Sequence, residues 1–327
     1  MKKRILSGMR PTGKLHLGHL VGALDNWVKL QEEYECFFMV ADWHALMGEY
    51  ASPKTIIECG YDNVLDWLCA GIDPKKSTVF VQSQVPAHLE LFMIFSCITP
   101  LGLLERCPTY KEQLREVTTR DLNTYGFLGY PVLQAADILI YKANKVPVGE
   151  DQLAHLELTR EIARKFNNLY KKEIFPQPDA ILTPVPRLLG LDKRKMSKSY
   201  NNTINLSDSV DEIAKKVTSM VTDPGRIKMS DPGHPKVCNV YDYYCVFAPD
   251  KKEEAYNWCT GAQKGCVQCK KEFACALIEK LGALQKKRRK LEEDKSYVAD
   301  ILKEGTDKAR EITSEVLKEA KKAMGLE

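Results

Sequence analysis

The apolar positions change rhythm along the chain. In the first half, short continuous apolar runs alternate with longer stretches at helical spacing. Ile5-Leu6-Ser7-Gly8 predicts a first strand, after which Leu20, Val21, Leu24, Trp27, Val28 and Leu30 recur as on a helix. Cys36-Phe37-Phe38-Met39-Val40-Ala41 is apolar throughout, as suits a strand covered on both faces. Ser52-Pro53 opens a helix that Gly71 and Pro74 stop, and Val79-Phe80-Val81 is a third strand. Val146-Pro147-Val148-Gly149 is a further strand, followed by a helix with Leu158, Ile162 and Phe166 four apart. This alternation predicts a parallel sheet with crossover helices, whose ligands bind beyond the carboxyl ends of the strands. Pro86, Pro100 and Pro108 interrupt the helical pieces of residues 85–125, which read as an insertion between two halves of the sheet.

Beyond Asn205 the strand signals end. Residues 211–220, 270–291 and 306–324 are amphipathic at helical spacing, so an all-helical C-terminal domain is expected over 205–327, after an α/β domain over 1–192. A chain of 327 residues suits about two domains. Hydrophobic residues at 44% and charged residues at 28% fit an ordinary globular protein. The net charge of +4 is mild, so any nucleic-acid surface must be local. The longest apolar runs are far short of about 18 residues, and Met1-Lys2-Lys3-Arg4 leads into too short an apolar stretch for a signal peptide. The expected location is cytoplasmic.

Three stretches carry candidate chemistry. The first is Pro11-Thr12-Gly13-Lys14-Leu15-His16-Leu17-Gly18-His19, a turn from a strand into a helix. A helix start offers unpaired N–H groups to phosphate, and Gly18 lets a ring or sugar approach the backbone. His16 and His19, three apart on one face, can donate to one phosphate; a partly buried helix start or half of a metal site is the plainer alternative. The second is the basic run Lys193-Arg194-Lys195-Met196-Ser197-Lys198-Ser199, which on charge alone would be a solvated surface. The third is Asp137, on a helical stripe with Leu133, Ala136, Ile140 and Tyr141. A carboxylate there is costly unless something donates to it, and a structural salt bridge or a cap would also account for it. Downstream, Gly149-Glu150-Asp151-Gln152 is another strand end meeting a helix start.

Of the eleven cysteines, Cys36, Cys59, Cys69, Cys97 and Cys107 lie in apolar stretches and read as small buried hydrophobes. Cys238, Cys259, Cys266 and Cys269 cluster, the last two as Cys-x-x-Cys. Four thiolates suit zinc or an iron–sulfur cluster equally; Cys245 and Cys275 are alternative ligands, and unligated thiols are the plain reading. Lys286-Lys287-Arg288-Arg289-Lys290 is the most basic stretch, by default a solvated helix face.

His16-Leu17-Gly18-His19 followed by Lys195-Met196-Ser197-Lys198-Ser199 resembles the paired signatures of class I aminoacyl-tRNA synthetases. With Tyr130, the run at Asp137 and Gly149-Glu150-Asp151-Gln152, the chain from Ile5 to Ala323 is similar to the bacterial tryptophanyl-tRNA synthetases. The resemblance implies a Rossmann-like catalytic domain, a signature loop and linker over 193–204, and a helical tRNA anticodon-binding domain. It also implies activation of L-tryptophan by ATP with Mg²⁺, transfer to tRNA(Trp), and a homodimer built partly through 85–125. His16, His19, Lys195 and Lys198 would be catalytic. ATP would be held by Arg10, Pro11, Thr12, Gly18, His19, Gly149, Glu150, Asp151, Leu188 and the run Lys195-Met196-Ser197-Lys198-Ser199. Asp137 would accept the indole N–H, worth about 1.5–3 kcal/mol for a charged acceptor. Tyr130 and Gln152 would hold the α-amino group, with Gly8 and His44 lining the pocket. Some members hold a [4Fe–4S] cluster through cysteines spaced much like the four here, with a slightly longer first gap. The basic stretch at Lys286 would meet tRNA phosphate. Arg10-Pro11-Thr12-Gly13 and the histidine form of the first signature depart from the Gln-Pro-Ser-Gly and Thr-Ile-Gly-Asn of many members, so Arg10 and His19 transfer less directly than Gly18 or Lys195. A tyrosyl-tRNA synthetase and a non-catalytic RNA-binding paralogue are the alternative readings.

Overall fold

The computed structural model describes residues 2–116, 121–182, 188–196 and 200–327. The chain forms two compact units, one of residues 1–13, 26–183 and 294–327, the other of residues 14–25 and 184–293. This division differs from the expected one twice. The His16 loop belongs with the second unit, and the C-terminal helix belongs with the first.

The first unit is built on a five-stranded parallel sheet in the order β3-β2-β1-β4-β5. The strands are β1 Arg4–Met9, β2 Glu35–Val40, β3 Ser77–Val81, β4 Lys145–Val148 and β5 Asp179–Leu182. Ile5 pairs with Cys36 on one side and Lys145 on the other, so the strand order reverses at β1. In such sheets the crevice at the reversal is the ligand site. The helix Pro53–Ala70 ends where expected, with Gly71 at φ +116°, a left-handed conformation that glycine adopts without a Cβ clash. Strand β5 lay outside the sequence expectation, being four residues with only partial burial.

One face of the sheet packs Phe37, Met39 and Phe80 against Leu91 and Phe95, Leu139 and Ile140, and Ile162 and Phe166, from three helices. These are Ala87–Ile98, Tyr130–Ile140 and Leu153–Tyr170. On a separate stack, Trp27 lies flat on Phe38 at 4.4 Å and edge-on to Trp67 at 5.2 Å. The last helix, Lys295–Met324, closes the unit through Ala309, Val316, Leu317 and Ala320. Its amphipathic pattern was visible; what covers its apolar face was not. Gly305 lies against β3 so closely that a Cβ there would stand 1.9 Å from the Val79 carbonyl oxygen.

The second unit is helical, as expected. Its helices are Val210–Ser219, opened by a reciprocal Ser209–Glu212 cap, Asn239–Phe247, Lys252–Thr260 and Cys266–Glu293. Ile213, Val217, Tyr243, Phe273, Leu277 and Leu281 are buried in it. Among the described residues no helix is long and apolar enough to cross a membrane.

Candidate active site

In the first unit, Asp137 is wholly buried on the helix Tyr130–Ile140. Its Oδ1 accepts from Gln82 Nε2 at 2.8 Å and from His88 Nδ1 at 2.6 Å, and its Oδ2 from His44 Nε2 at 2.7 Å. Burial pushes this carboxyl up, but His44 and His88 beside it more than offset that and leave it below the usual carboxylate range. Asp137 is therefore a desolvated carboxylate with its donors in place. His44 reaches Asp137 as the tryptophan-pocket assignment allows, though it does so as a partner of the carboxylate. Gln82 and His88 were not signalled by sequence, because each is a single polar residue more than 45 positions from Asp137.

Tyr130 and Gln152 meet through a residue the sequence reading passed over. His155 donates from Nδ1 to Gln152 Oε1 at 3.0 Å, while its Nε2 faces the Tyr130 hydroxyl at 2.9 Å and the Cys107 thiol at 3.1 Å. Burial lowers the His155 pKa to about 4, so the ring is neutral at neutral pH. With Nδ1 donating, Nε2 must accept, and the Tyr130 hydroxyl donates to it. Each of Tyr130 and Gln152 keeps an acceptor lone pair that His155 does not use. The three-residue step from Gln152 to His155 is the signal that pointed to this, had it been read as helical.

Gly8 is the penultimate residue of β1, where a Cβ would lie 2.6 Å from Met39 Cγ. Arg10, Pro11 and Thr12 follow in a turn closed by the Thr12 N–H donating to the Arg10 carbonyl at 2.9 Å. Gly149, Glu150 and Asp151 follow β4, the strand beside β1. The assigned residues of both loops thus leave adjacent strand ends.

The second unit holds both class signatures as far as they are described. His16 is the N-cap of the one-turn helix Leu17–His19: its Nδ1 accepts from the Gly18 N–H at 3.2 Å, and His19 Nδ1 accepts from the His16 N–H at 3.1 Å. Both rings therefore carry their proton on Nε2, the nitrogen a phosphate needs as donor. The loop is fixed by Leu17 N–H to Ile204 O at 3.0 Å and Leu206 N–H to Leu15 O at 2.9 Å. A Cβ on Gly18 would lie 3.0 Å from the His16 ring and 3.2 Å from the Met196 sulfur, so a side chain there would crowd both. Leu188 is half-buried; Lys195 is exposed and bridges to Leu189 through its backbone. Asn202 and Arg194 hold the Asp192 carboxyl down to about 2, which pins the loop before Lys195. Ser197, Lys198 and Ser199 lie outside the described residues.

Cys238, Cys259, Cys266 and Cys269 line one cavity, beside Arg226, Trp258 and Lys264. Cys245 and Cys275 are exposed and take no part in it. Burial pushes the Cys269 thiol up to about 12 and raises Cys238 and Cys259, with the neighbouring thiols adding to the effect. Among the described residues no group of three or more His, Cys, Asp or Glu side chains is arranged to hold a metal ion. The donor set, four thiols on one cavity, suits a thiophilic metal or cluster.

A family model described as tRNA synthetases class I (W and Y) matches residues 1–282. The tryptophan–tRNA ligase of Thermotoga maritima is 55% identical over 326 residues, spanning 99% of this chain and 99% of that protein. That of Aquifex aeolicus is 43% identical over 394 residues, with 99% and 100% covered. The solved tryptophanyl-tRNA synthetase of Campylobacter jejuni, complexed with ADP and tryptophan, matches with a TM-score of 0.89 at 34% identity, over 99% of this chain and 100% of that one. The chain belongs to the class I tRNA synthetases of the tryptophan and tyrosine family, and its sheet is the Rossmann-like core of that class. Within the family it stands with the tryptophanyl members: it is an aminoacyl-tRNA ligase for tryptophan rather than tyrosine, and not a paralogue without chemistry.

Proposed function

We propose the following division of labour for activating L-tryptophan to tryptophanyl-adenylate and charging tRNA(Trp). Asp137 accepts the indole N–H, and Tyr130 and Gln152, set by His155, hold the α-amino group. Gly8 and His44 line the amino-acid pocket. The tryptophan carboxylate attacks the α-phosphate of ATP and pyrophosphate leaves, so catalysis needs position and charge rather than a protein nucleophile. His16 and His19 donate to phosphate from Nε2. Lys195 and Lys198 hold the leaving pyrophosphate, which carries Mg²⁺, and Met196, Ser197, Ser199 and Leu188 shape the rest of the nucleotide contact. Arg10, Pro11, Thr12, Gly18, Gly149, Glu150 and Asp151 complete the ATP site.

The helical segment after Asn205 serves as the anticodon-binding part, with the basic stretch from Lys286 to Lys290 meeting tRNA phosphate. The enzyme works as a cytoplasmic homodimer, a reading supported by the exposed apolar side chains Met93 and Leu101 within 85–125. Cys238, Cys259, Cys266 and Cys269 hold a [4Fe–4S] cluster, with zinc as the alternative; the support is four thiols on one cavity flanked by two cations. A thiolate-bound centre there would cross-link the second unit locally and take no part in the activation chemistry.

The observation that carries the assignment of the amino-acid pocket is the wholly buried carboxylate of Asp137 among donors only. Indole offers one donor and no acceptor, which a carboxylate matches. Amino-acid-dependent ATP–pyrophosphate exchange, with tryptophan and tyrosine compared in wild type and Asp137→Asn, tests it. Loss of tryptophan preference is expected, and retention of it removes the assignment.

A further inference from the structure

We propose that His88 is a positioning residue for indole recognition: it fills one oxygen of Asp137 and, itself held by Tyr141, leaves the other oxygen as the acceptor. The inference rests on Asp137 as the indole acceptor and goes beyond it by naming the atom and what fixes it.

A carboxylate oxygen accepts about two hydrogen bonds. Asp137 Oδ1 already has two, from Gln82 at 2.8 Å and His88 at 2.6 Å. Among the described residues Oδ2 has one, from His44 at 2.7 Å. One acceptor position therefore remains, and it lies on Oδ2. Exposure runs the same way: the side chains of His88 and Asp137 are 0% exposed, and that of His44 is 11% exposed. The His44 side is thus the side a ligand can reach.

His88 makes this asymmetry permanent. Its Nδ1 must donate, since the carboxylate has no proton to give. Its Nε2 meets the Tyr141 hydroxyl at 3.0 Å, and Tyr141 is wholly buried with that as its one side-chain hydrogen bond among the described residues. A hydroxyl proton turned away from His88 would be stranded in an apolar wall, so Tyr141 donates to His88 Nε2 and the relay runs Tyr141 to His88 to Asp137. Phe80 stacks on His88 at 6.0 Å and Phe37 packs on Tyr141 at 4.8 Å, which holds both rings. Without the Nδ1 donor, Oδ1 regains an open lone pair and the carboxylate offers two acceptor directions. Apolar contact with the indole would survive; discrimination for its N–H would fall.

The test compares tryptophan with β-(3-benzothienyl)alanine, which has sulfur in place of the indole N–H, in ATP–pyrophosphate exchange. His88→Leu should cut the tryptophan-to-analogue ratio of kcat/KM by roughly tenfold, through KM for tryptophan, with KM for ATP unchanged. His88→Asn, which returns a donor near the Nδ1 position, should recover to within about threefold of wild type, and Tyr141→Phe, which keeps the packing, should lower the ratio by about threefold. A folded His88→Leu protein that keeps the wild-type ratio, or loses both substrates equally, overturns the proposal. Should that variant fail to fold, an unchanged ratio in Tyr141→Phe overturns it. Wild type showing no preference for tryptophan over the analogue would instead remove Asp137 as the indole acceptor, and the proposal with it.

Discussion

Asp137 and Lys195 are both charged groups assigned to substrate, and the chain surrounds them in opposite ways. Asp137 is wholly buried and meets three donors, one of which, His88, packs against Phe80 and Tyr141. Lys195 is exposed, and among the described residues its contacts run through its backbone, to Leu189 and to Asn202. A desolvated carboxylate penalises every ligand that leaves it unpaired, so it selects. An exposed ammonium attracts phosphate of any bearer and discriminates little, which suits the proposed part in the step common to all class I reactions. Selectivity and charge stabilisation are thus separable, and each can be broken without the other.

The largest effect should come from Lys195→Ala. Loss of an oriented charge stabiliser should lower the exchange rate by roughly 10²–10³. Tryptophan binding without ATP, followed by calorimetry, should be unaffected. Retained exchange would reduce the basic loop to a linker.

Next comes a pH effect peculiar to the buried region. His155 is neutral in the fold down to about pH 4, whereas in the unfolded chain it protonates near its ordinary 6.5. Between these values the unfolded state binds more protons, so stability should fall as pH drops from 6.5 to 4, by up to about 3 kcal/mol. Urea midpoints across that range should show the loss, and His155→Gln should blunt it. A parallel pH slope in the variant would show that His155 is protonated in the fold and cannot accept from Tyr130.

The packing of the C-terminal helix gives a third expectation. Gly305→Ala puts a methyl where the Val79 carbonyl stands, and should cost about 1–3 kcal/mol with exchange kinetics intact in the folded fraction. An unchanged melting temperature would mean that the helix is not seated on β3.

Strands β1 to β4 were legible because each is a short apolar run bounded by turn residues. Strand β5 was not, since Asp179–Leu182 is brief and follows Pro176 and Pro178. The helix ending at Met324 was legible as amphipathic, but periodicity says that a face is buried and not against what. Asp137 stood out as the wrong residue type on an apolar stripe. His88 and Gln82 did not, because a lone polar residue shows nothing until the fold sets it against its partner. The paired histidines at a strand-to-helix turn suggested a phosphate site; that each caps the other's turn, and so fixes its own tautomer, depends on backbone geometry.

The smallest expected effect lies at the cysteines. Cys266→Ser should loosen the helices around the four thiols and lower tRNA charging while leaving exchange close to wild type, because none of the four cysteines is assigned a nucleotide or tryptophan contact. Iron, sulfide and zinc analysis of protein purified without oxygen decides what the four thiols hold. Stoichiometric zinc in a colourless protein would exclude the cluster. Absence of both metals, with normal charging by Cys266→Ser, would leave four buried thiols.

The central claim is that one buried carboxylate sets the choice of amino acid. Its most direct test is the ratio of kcat/KM for tryptophan against tyrosine and phenylalanine in Asp137→Ala, with folding checked by melting and ATP handling by KM. The account predicts weaker tryptophan use by roughly 10–10² and a correspondingly narrower preference, since the lost bond is one that only the indole makes. A folded variant that handles ATP normally and keeps the wild-type preference would contradict it.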